Sequence, residues 1–253
     1  MSEPIVSSLA KALRVLECFT VSEPELGVTE ISKKLGIGKS NAHNIISTYC
    51  QMGYLQQLPN RKYTLGYKLL EHAFIINQHL GYPHAVYDLL LEAAERTGQV
   101  VYFGIPYETD VLYLYVAHPI ARMKELPYRE ICGEHAPLCT TGIGKAILAN
   151  LPPEEWLSRL PEIVPAHTPQ TITDKDKILQ ELQSTRERGF AIDNCEHELK
   201  VRCVGVPVYN ARGALVAGIS SSGAVQVMTD RKIMECADIL MGITQRIKER
   251  LYA

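Results

Sequence analysis

The sequence predicts an α+β protein in two parts: a winged helix-turn-helix, then an antiparallel sheet with flanking helices. Three observations carry that prediction. Two short amphipathic runs are joined by Gly36-Ile37-Gly38, the spacing of a helix-turn-helix. Two strand-like runs then enclose Leu58-Pro59-Asn60-Arg61, a turn with a basic tip. From about residue 84 onward strands and helices alternate irregularly, as when helices pack on an antiparallel sheet.

Taken in order, Leu9, Leu13 and Leu16 recur at helical spacing and predict a first helix over 7–19. Pro24 and Gly27 punctuate the turn that follows. A second helix is expected from Thr29, as its cap, to Leu35. A third runs from Lys39 to Met52 and stops at Gly53. The runs 54–57 and 62–65 form the wing. Leu69, Ala73, Ile76 and Leu80 mark a linker helix over 66–80, ended by Gly81 and Pro83. Further helices are expected at 84–97, 142–150, 153–159, 174–188 and 230–251, and strands at 100–105, 111–116, 190–193, 203–209 and 214–222. The stripe Ile233, Ala237, Leu240, Thr244, Ile247 and Leu251 reads as core. The resulting domains are 1–66, a linker 67–81, and 82–253.

Composition excludes several classes. In 253 residues, 46% are hydrophobic and 21% charged, which fits a folded chain and not a disordered one. No apolar run reaches the roughly 18 residues of a membrane span, and no signal peptide opens the chain, so a cytoplasmic protein without a membrane partner is expected. The seven cysteines are odd in number and scattered, which predicts free thiols.

The formal net charge is −2, but its distribution matters more. Between 28 and 68 the charged residues are Lys33, Lys34, Lys39, Arg61, Lys62 and Lys68, against Glu30 alone. Such a segment draws a polyanion. Charge alone fits a solvated helical face equally well.

The third helix discriminates between these readings. Ala42, Ile45, Ile46 and Tyr49 must face the core. Ser40, Asn44, Ser47 and Gln51 then face outward, flanked by Asn41, His43 and Thr48, with no acid among them. Amides and hydroxyls both donate to and accept from base edges, so such a face suits a major groove. Ser40, Asn41, His43 and Asn44, near the helix start, are the candidate base readers. Lys39, Arg61 and Lys62 are candidate phosphate contacts.

Other motifs carry less. Gly142-Ile143-Gly144-Lys145-Ala146 looks like a phosphate loop, but Cys139 replaces its first glycine and Ala146 its Ser/Thr. Gly218-Ile219-Ser220-Ser221-Ser222-Gly223 misses a nucleophile elbow by one residue. Cys132, His135 and Cys139, with Cys195, His197 and Cys203, lack a common zinc spacing. No metal and no cofactor is expected. A sensor that depends on zinc, and an enzyme acting on a small acid beside an interaction module, are the alternatives.

The whole chain resembles the IclR family of bacterial transcriptional regulators. The likeness rests on Ser8-Leu9-Ala10-Lys11-Ala12-Leu13-Arg14-Val15-Leu16, Lys39-Ser40-Asn41-Ala42-His43, Lys62-Tyr63-Thr64-Leu65-Gly66 and Thr141-Gly142-Ile143-Gly144-Lys145-Ala146. It continues through Gly189-Phe190-Ala191-Ile192-Asp193, Glu198-Leu199-Lys200-Val201-Arg202-Cys203 and Pro207-Val208-Tyr209, ending at Ser220-Ser221-Ser222-Gly223.

The resemblance implies a GAF-like effector domain, assembly as a homodimer or dimer of dimers on double-stranded operator DNA, and repression or activation. It also implies a small-molecule effector, an organic, sugar or aromatic acid. By position its contacts would be Gly142, Ile143, Asp193, Cys203, Ser220 and Ser222. Two departures stand out. Asn44 follows His43 where the family usually has a basic residue, and Arg122–His135, expected at the pocket mouth, has an unusual charge mix. Physical reasoning supports part of the effector set. Ser220 and Ser222 share one face of a strand, and the helix beginning near Gly142 favours an anion.

Overall fold

The structure, a computed structural model, describes residues 4–120 and 131–251. The chain divides into two compact units, Met1–Leu80 and Gly81–Ala253. Residues 122–130 of the expected pocket-mouth segment lie outside the described residues.

The first unit holds α1 (Ser7–Glu17), α2 (Val28–Leu35), α3 (Lys39–Gln51), the strands β1 (Leu55–Gln57) and β2 (Tyr63–Leu65), and α4 (Lys68–Leu80). Gly36 sets the helix-turn-helix. It sits in the left-handed region at φ 62°, which costs glycine little, and it turns the chain out of α2. The Ser32 hydroxyl donates to the Ile37 carbonyl at 2.6 Å, and the Ile37 amide donates to the Ser32 carbonyl at 3.1 Å. Val15, Ile31, Ala42 and Ile46 are fully buried, and Leu26, Leu55 and Tyr63 close the core. In the hairpin, Leu55 pairs Leu65 and Gln57 pairs Tyr63.

The start of α2 corrects the expectation. The cap is Gly27, not Thr29, which lies inside the helix. The Glu30 carboxylate accepts the Gly27 amide at 2.6 Å, so the acid three residues into the helix does the capping.

The second unit holds α5 (Tyr82–Thr97), β3 (Val100–Tyr107), β4 (Asp110–Ala117), β5 (His135–Pro137), α6 (Gly142–Asn150), α7 (Lys175–Arg188), β6 (Ala191–Asn194), β7 (Val201–Tyr209), β8 (Leu215–Ala224) and α8 (Asp230–Arg250). The six strands form one antiparallel sheet in the order β5-β4-β3-β8-β7-β6. Its two faces follow from register. Tyr102, Ser220 and Gly205 stand opposite one another on the face that α6 covers. Phe103, Ile219 and Val206 occupy the other face, where α5 and α8 pack; the Tyr82 ring meets Phe103 at 5.1 Å. Ile233, Ala237, Leu240, Ile247 and Leu251 are buried on that side, as expected of core. Thr244 of the same stripe is half-buried.

Several elements differ from expectation. Pro83 lies in the first turn of α5, where its missing N–H costs nothing. β3 runs on through Pro106, because its pairing with β8 ends at Gly104 and no donor is needed there. The stretch 153–159 is two 3-10 turns, Pro153–Glu155 and Leu157–Arg159. β5 was not anticipated: three residues ending in a proline show no periodicity.

Candidate nucleic-acid interface and effector site

On α3 the core-facing residues are Ala42 and Ile46, fully buried, with Ile45 and Tyr49 packed beside them. Rotation about the helix axis then leaves Lys39, Ser40, Asn41, His43 and Asn44 exposed together at its first turns. Gln51 is exposed too; Ser47 is half-buried and so leaves the expected outward set. The Thr48 hydroxyl donates to the Asn44 carbonyl at 2.9 Å, which leaves the Asn44 amide unencumbered by it.

At the wing tip Arg61 is exposed and holds φ 64°, a conformation rare for a side chain of its kind. Its amide donates to the Leu58 carbonyl at 3.0 Å, and the Lys62 amide donates to the Asn60 side chain at 2.9 Å. Lys62 is half-buried and pairs with Glu30 at 3.7 Å. The one acid of the basic segment is thus engaged by the Gly27 amide, which lowers its pKa, and by Lys62.

In the second unit the expected effector residues fall on one surface. Asp193, Cys203 and Ser222 form a single cross-strand row through β6, β7 and β8. Ser220 lies two residues from Ser222 on the same face. Asp193, Cys203 and Ser220 are buried and Ser222 half-buried. The start of α6 reaches the same place: a Cβ on Gly142 would stand 2.8 Å from the Cys203 sulfur and 3.3 Å from its carbonyl carbon and oxygen. Ile143 is buried beside it. All six expected residues therefore meet around the N-terminus of α6. Burial pushes the Cys203 thiol up to about 12, so it remains a protonated thiol.

The contact is close because β7 carries no side chain at Gly205. A Cβ there would stand 2.1 Å from the Gly142 carbonyl oxygen. Thr141 caps α6, accepting the Gly144 amide at 3.0 Å and donating to the Pro137 carbonyl at 3.1 Å.

Sequence reasoning missed four residues here. Lys145 is 1% exposed, and its Nζ donates to Glu196 Oε1 and to the Ile192 carbonyl, each at 2.5 Å. The lysine that resembled part of a phosphate loop is therefore committed to a buried ion pair. The Glu196 amide in turn donates to Asp193 Oδ1 at 2.7 Å, fixing that carboxyl. Tyr102 and Tyr113 are the other two; strand alternation alone places them on a face without naming their neighbours. Among the described residues no group of three His, Cys, Asp or Glu is arranged to hold a metal.

Burial, opposed by the Glu196 amide, pushes the Asp193 carboxyl up to about 7 from 3.8. Between those values the folded chain holds a proton that the unfolded chain lacks. Stability contributed by Asp193 is thus complete below about pH 4 and lost as the pH rises to about 7. Wild type is expected to lose melting temperature from pH 5 to 7.5 relative to Asp193→Asn. Parallel melting curves across that range would remove this assignment.

A helix-turn-helix with a basic wing, joined to a separate sheet domain, is the architecture of a ligand-responsive transcription regulator. Two family models match: the helix-turn-helix domain of IclR over residues 8–59, and the C-terminal domain of the bacterial transcriptional regulator IclR over 80–249. The transcriptional regulator XynR of Escherichia coli (strain K12) is 32% identical over 232 residues, covering 91% of each chain. The crystal structure of Thermotoga maritima IclR superposes with a TM-score of 0.76 at 30% identity, over 97% of this chain and 98% of that one. An IclR homologue from Microbacterium hydrocarbonoxydans, solved with 4-hydroxybenzoate, shares the fold at a TM-score of 0.82 and 20% identity, over 96% and 99%.

The chain belongs to the IclR family of bacterial transcriptional regulators, with a DNA-binding helix-turn-helix and a C-terminal effector-binding domain. Among the described residues no helix is long and apolar enough to cross a membrane.

Proposed function

We propose that α3 reads operator DNA in the major groove and that a small acidic metabolite, bound around the start of α6, controls that reading. Ser40, Asn41, His43 and Asn44 contact base edges. Lys39, Arg61 and Lys62 hold the phosphates. The observation that carries this reading is the exposed, acid-free first half of α3.

Gly142, Ile143, Asp193, Cys203, Ser220 and Ser222 form the effector site. The homologue solved with 4-hydroxybenzoate supports a small carboxylic acid as the ligand of this fold. The acid binds one of two states more tightly, and α4 passes the difference to the spacing of paired α3 helices.

Pairing is supported by exposed apolar side chains in the first unit. Leu9 and Leu13 of α1 are 56% and 49% exposed, and Leu70, Phe74, Ile75 and Ile76 of α4 are 58–65% exposed. The stripe read as Leu69, Ala73, Ile76 and Leu80 is broader than expected, since no residue of α4 is buried. Such surface on a soluble chain suits a homodimer, or a dimer of dimers.

The test is a mobility shift on the protein's own upstream DNA in excess bulk competitor. A retained complex is expected, with Asn44→Ala weakening it about 5- to 150-fold, the equivalent of about 1–3 kcal/mol. Binding that bulk DNA abolishes would remove the sequence-reading role.

A further inference from the structure

We infer that Tyr113, with Tyr102 beside it, is a specificity-determining wall of the effector site, selecting short aliphatic hydroxy acids over aromatic acids. The inference rests on the effector reading above.

Register places both rings on the α6-facing surface. Tyr102 stands opposite Ser220 across β3 and β8. Tyr113 stands opposite Gly104 across β3 and β4, past the irregularity at Phe103/Gly104. The rings meet edge to face at 5.7 Å and 64°. Tyr113 is buried, yet its hydroxyl is not lost in hydrocarbon. It lies close to Thr141, the cap of α6, and within electrostatic reach of Cys203 and Asp193. The phenol therefore joins β4 to the groups that β6, β7 and α6 bring together.

The chemistry narrows the ligand. Burial keeps the phenol protonated, so it offers a donor, and Ser220 offers a hydroxyl. Asp193, whose Oδ1 takes the Glu196 amide, offers its remaining carboxyl oxygen to a ligand hydroxyl. The charge of Lys145 is already matched here by Glu196, and a second of its donors goes to the Ile192 carbonyl. A molecule with both a carboxylate and a hydroxyl uses this set; a plain carboxylic acid leaves Asp193 without a donor. The two rings already pack against each other on this surface, and a benzene ring entering between them would have to part them. A site built to bond a hydroxyl rejects the analogue that lacks it, because the site's buried polar groups then stay unpaired.

Isothermal calorimetry on the full chain decides the matter, with lactate, glycerate, propionate and benzoate as probes. Lactate or glycerate is expected to bind at least tenfold tighter than propionate or benzoate. Tyr113→Phe, and independently Tyr102→Phe with its milder change, keeps the ring packing; a thermal melt checks the fold. Tyr113→Phe should reduce hydroxy-acid affinity about tenfold and leave propionate unchanged. Benzoate binding as tightly as lactate, or an equal loss for lactate and propionate, overturns the wall but leaves the effector site standing. Failure of all four probes to bind wild type overturns both.

Discussion

Gly205→Ala is expected to cost the C-terminal unit about 3 kcal/mol or more. An added Cβ would stand 2.1 Å from the Gly142 carbonyl oxygen, 2.3 Å from its carbon and 2.7 Å from the Ile143 nitrogen. All three are backbone atoms, so no side chain can swing away. β7 is held between β6 and β8 and cannot retreat. The start of α6 is held by Thr141 through Pro137 and Gly144. Something in the ligand site must therefore move. For a domain of this size the cost corresponds to a fall of about 6–12 °C in melting temperature, together with loss of effector response. Gly242→Ala is the control: it lies within α8 with nothing inside 4 Å, and alanine there should stabilise by up to about 1 kcal/mol. Equal melting of Gly205→Ala and wild type would show that α6 does not seat on β7 as described.

Lys145→Met should be nearly as damaging. The ammonium is 1% exposed, and removing it strands the buried Glu196 carboxylate, whose second oxygen has no hydrogen-bond partner among the described residues. Breaking a buried pair from one side typically costs about 3–5 kcal/mol. Burial already pushes the Glu196 carboxyl upward against the pull of Lys145, and removing that pull pushes it higher still. The consequence reaches the site, because the Glu196 amide fixes Asp193 Oδ1 at 2.7 Å. In a double-mutant cycle by chemical denaturation, Lys145→Met with Glu196→Gln should recover much of the loss. Two additive losses, or a harmless Lys145→Met, would mean that the pair holds nothing in place.

How much of this was legible in the sequence depended on range. The helix-turn-helix was readable because Gly36, Gly38 and the apolar spacing of Ala42, Ile45, Ile46 and Tyr49 act within a few residues. The outward set on α3 followed from the same period, with Ser47 the exception, since it sits at the margin of the buried face. The cap of α2 was misplaced because Thr29 and Glu30 are adjacent, and the choice between them depends on a backbone bond to Gly27. The effector residues could be assigned only through family resemblance; their meeting depends on the register of three strands. Lys145 and Glu196 are 51 residues apart, and no local pattern ties them. Tyr113 faces α6 only because the β3–β4 pairing shifts by one residue between Phe103 and Gly104. A uniform register would turn it to the other side.

The base-reading role of α3 is open to one direct measurement: fluorescence anisotropy across a salt series, on an upstream duplex and on its scrambled counterpart. Asn44→Ala should cut the ratio of the two affinities about 5- to 150-fold with the salt slope unchanged, whereas Lys39→Ala should weaken both duplexes alike and flatten the slope by about one. An Asn44→Ala protein that keeps the wild-type ratio would contradict the reading of α3.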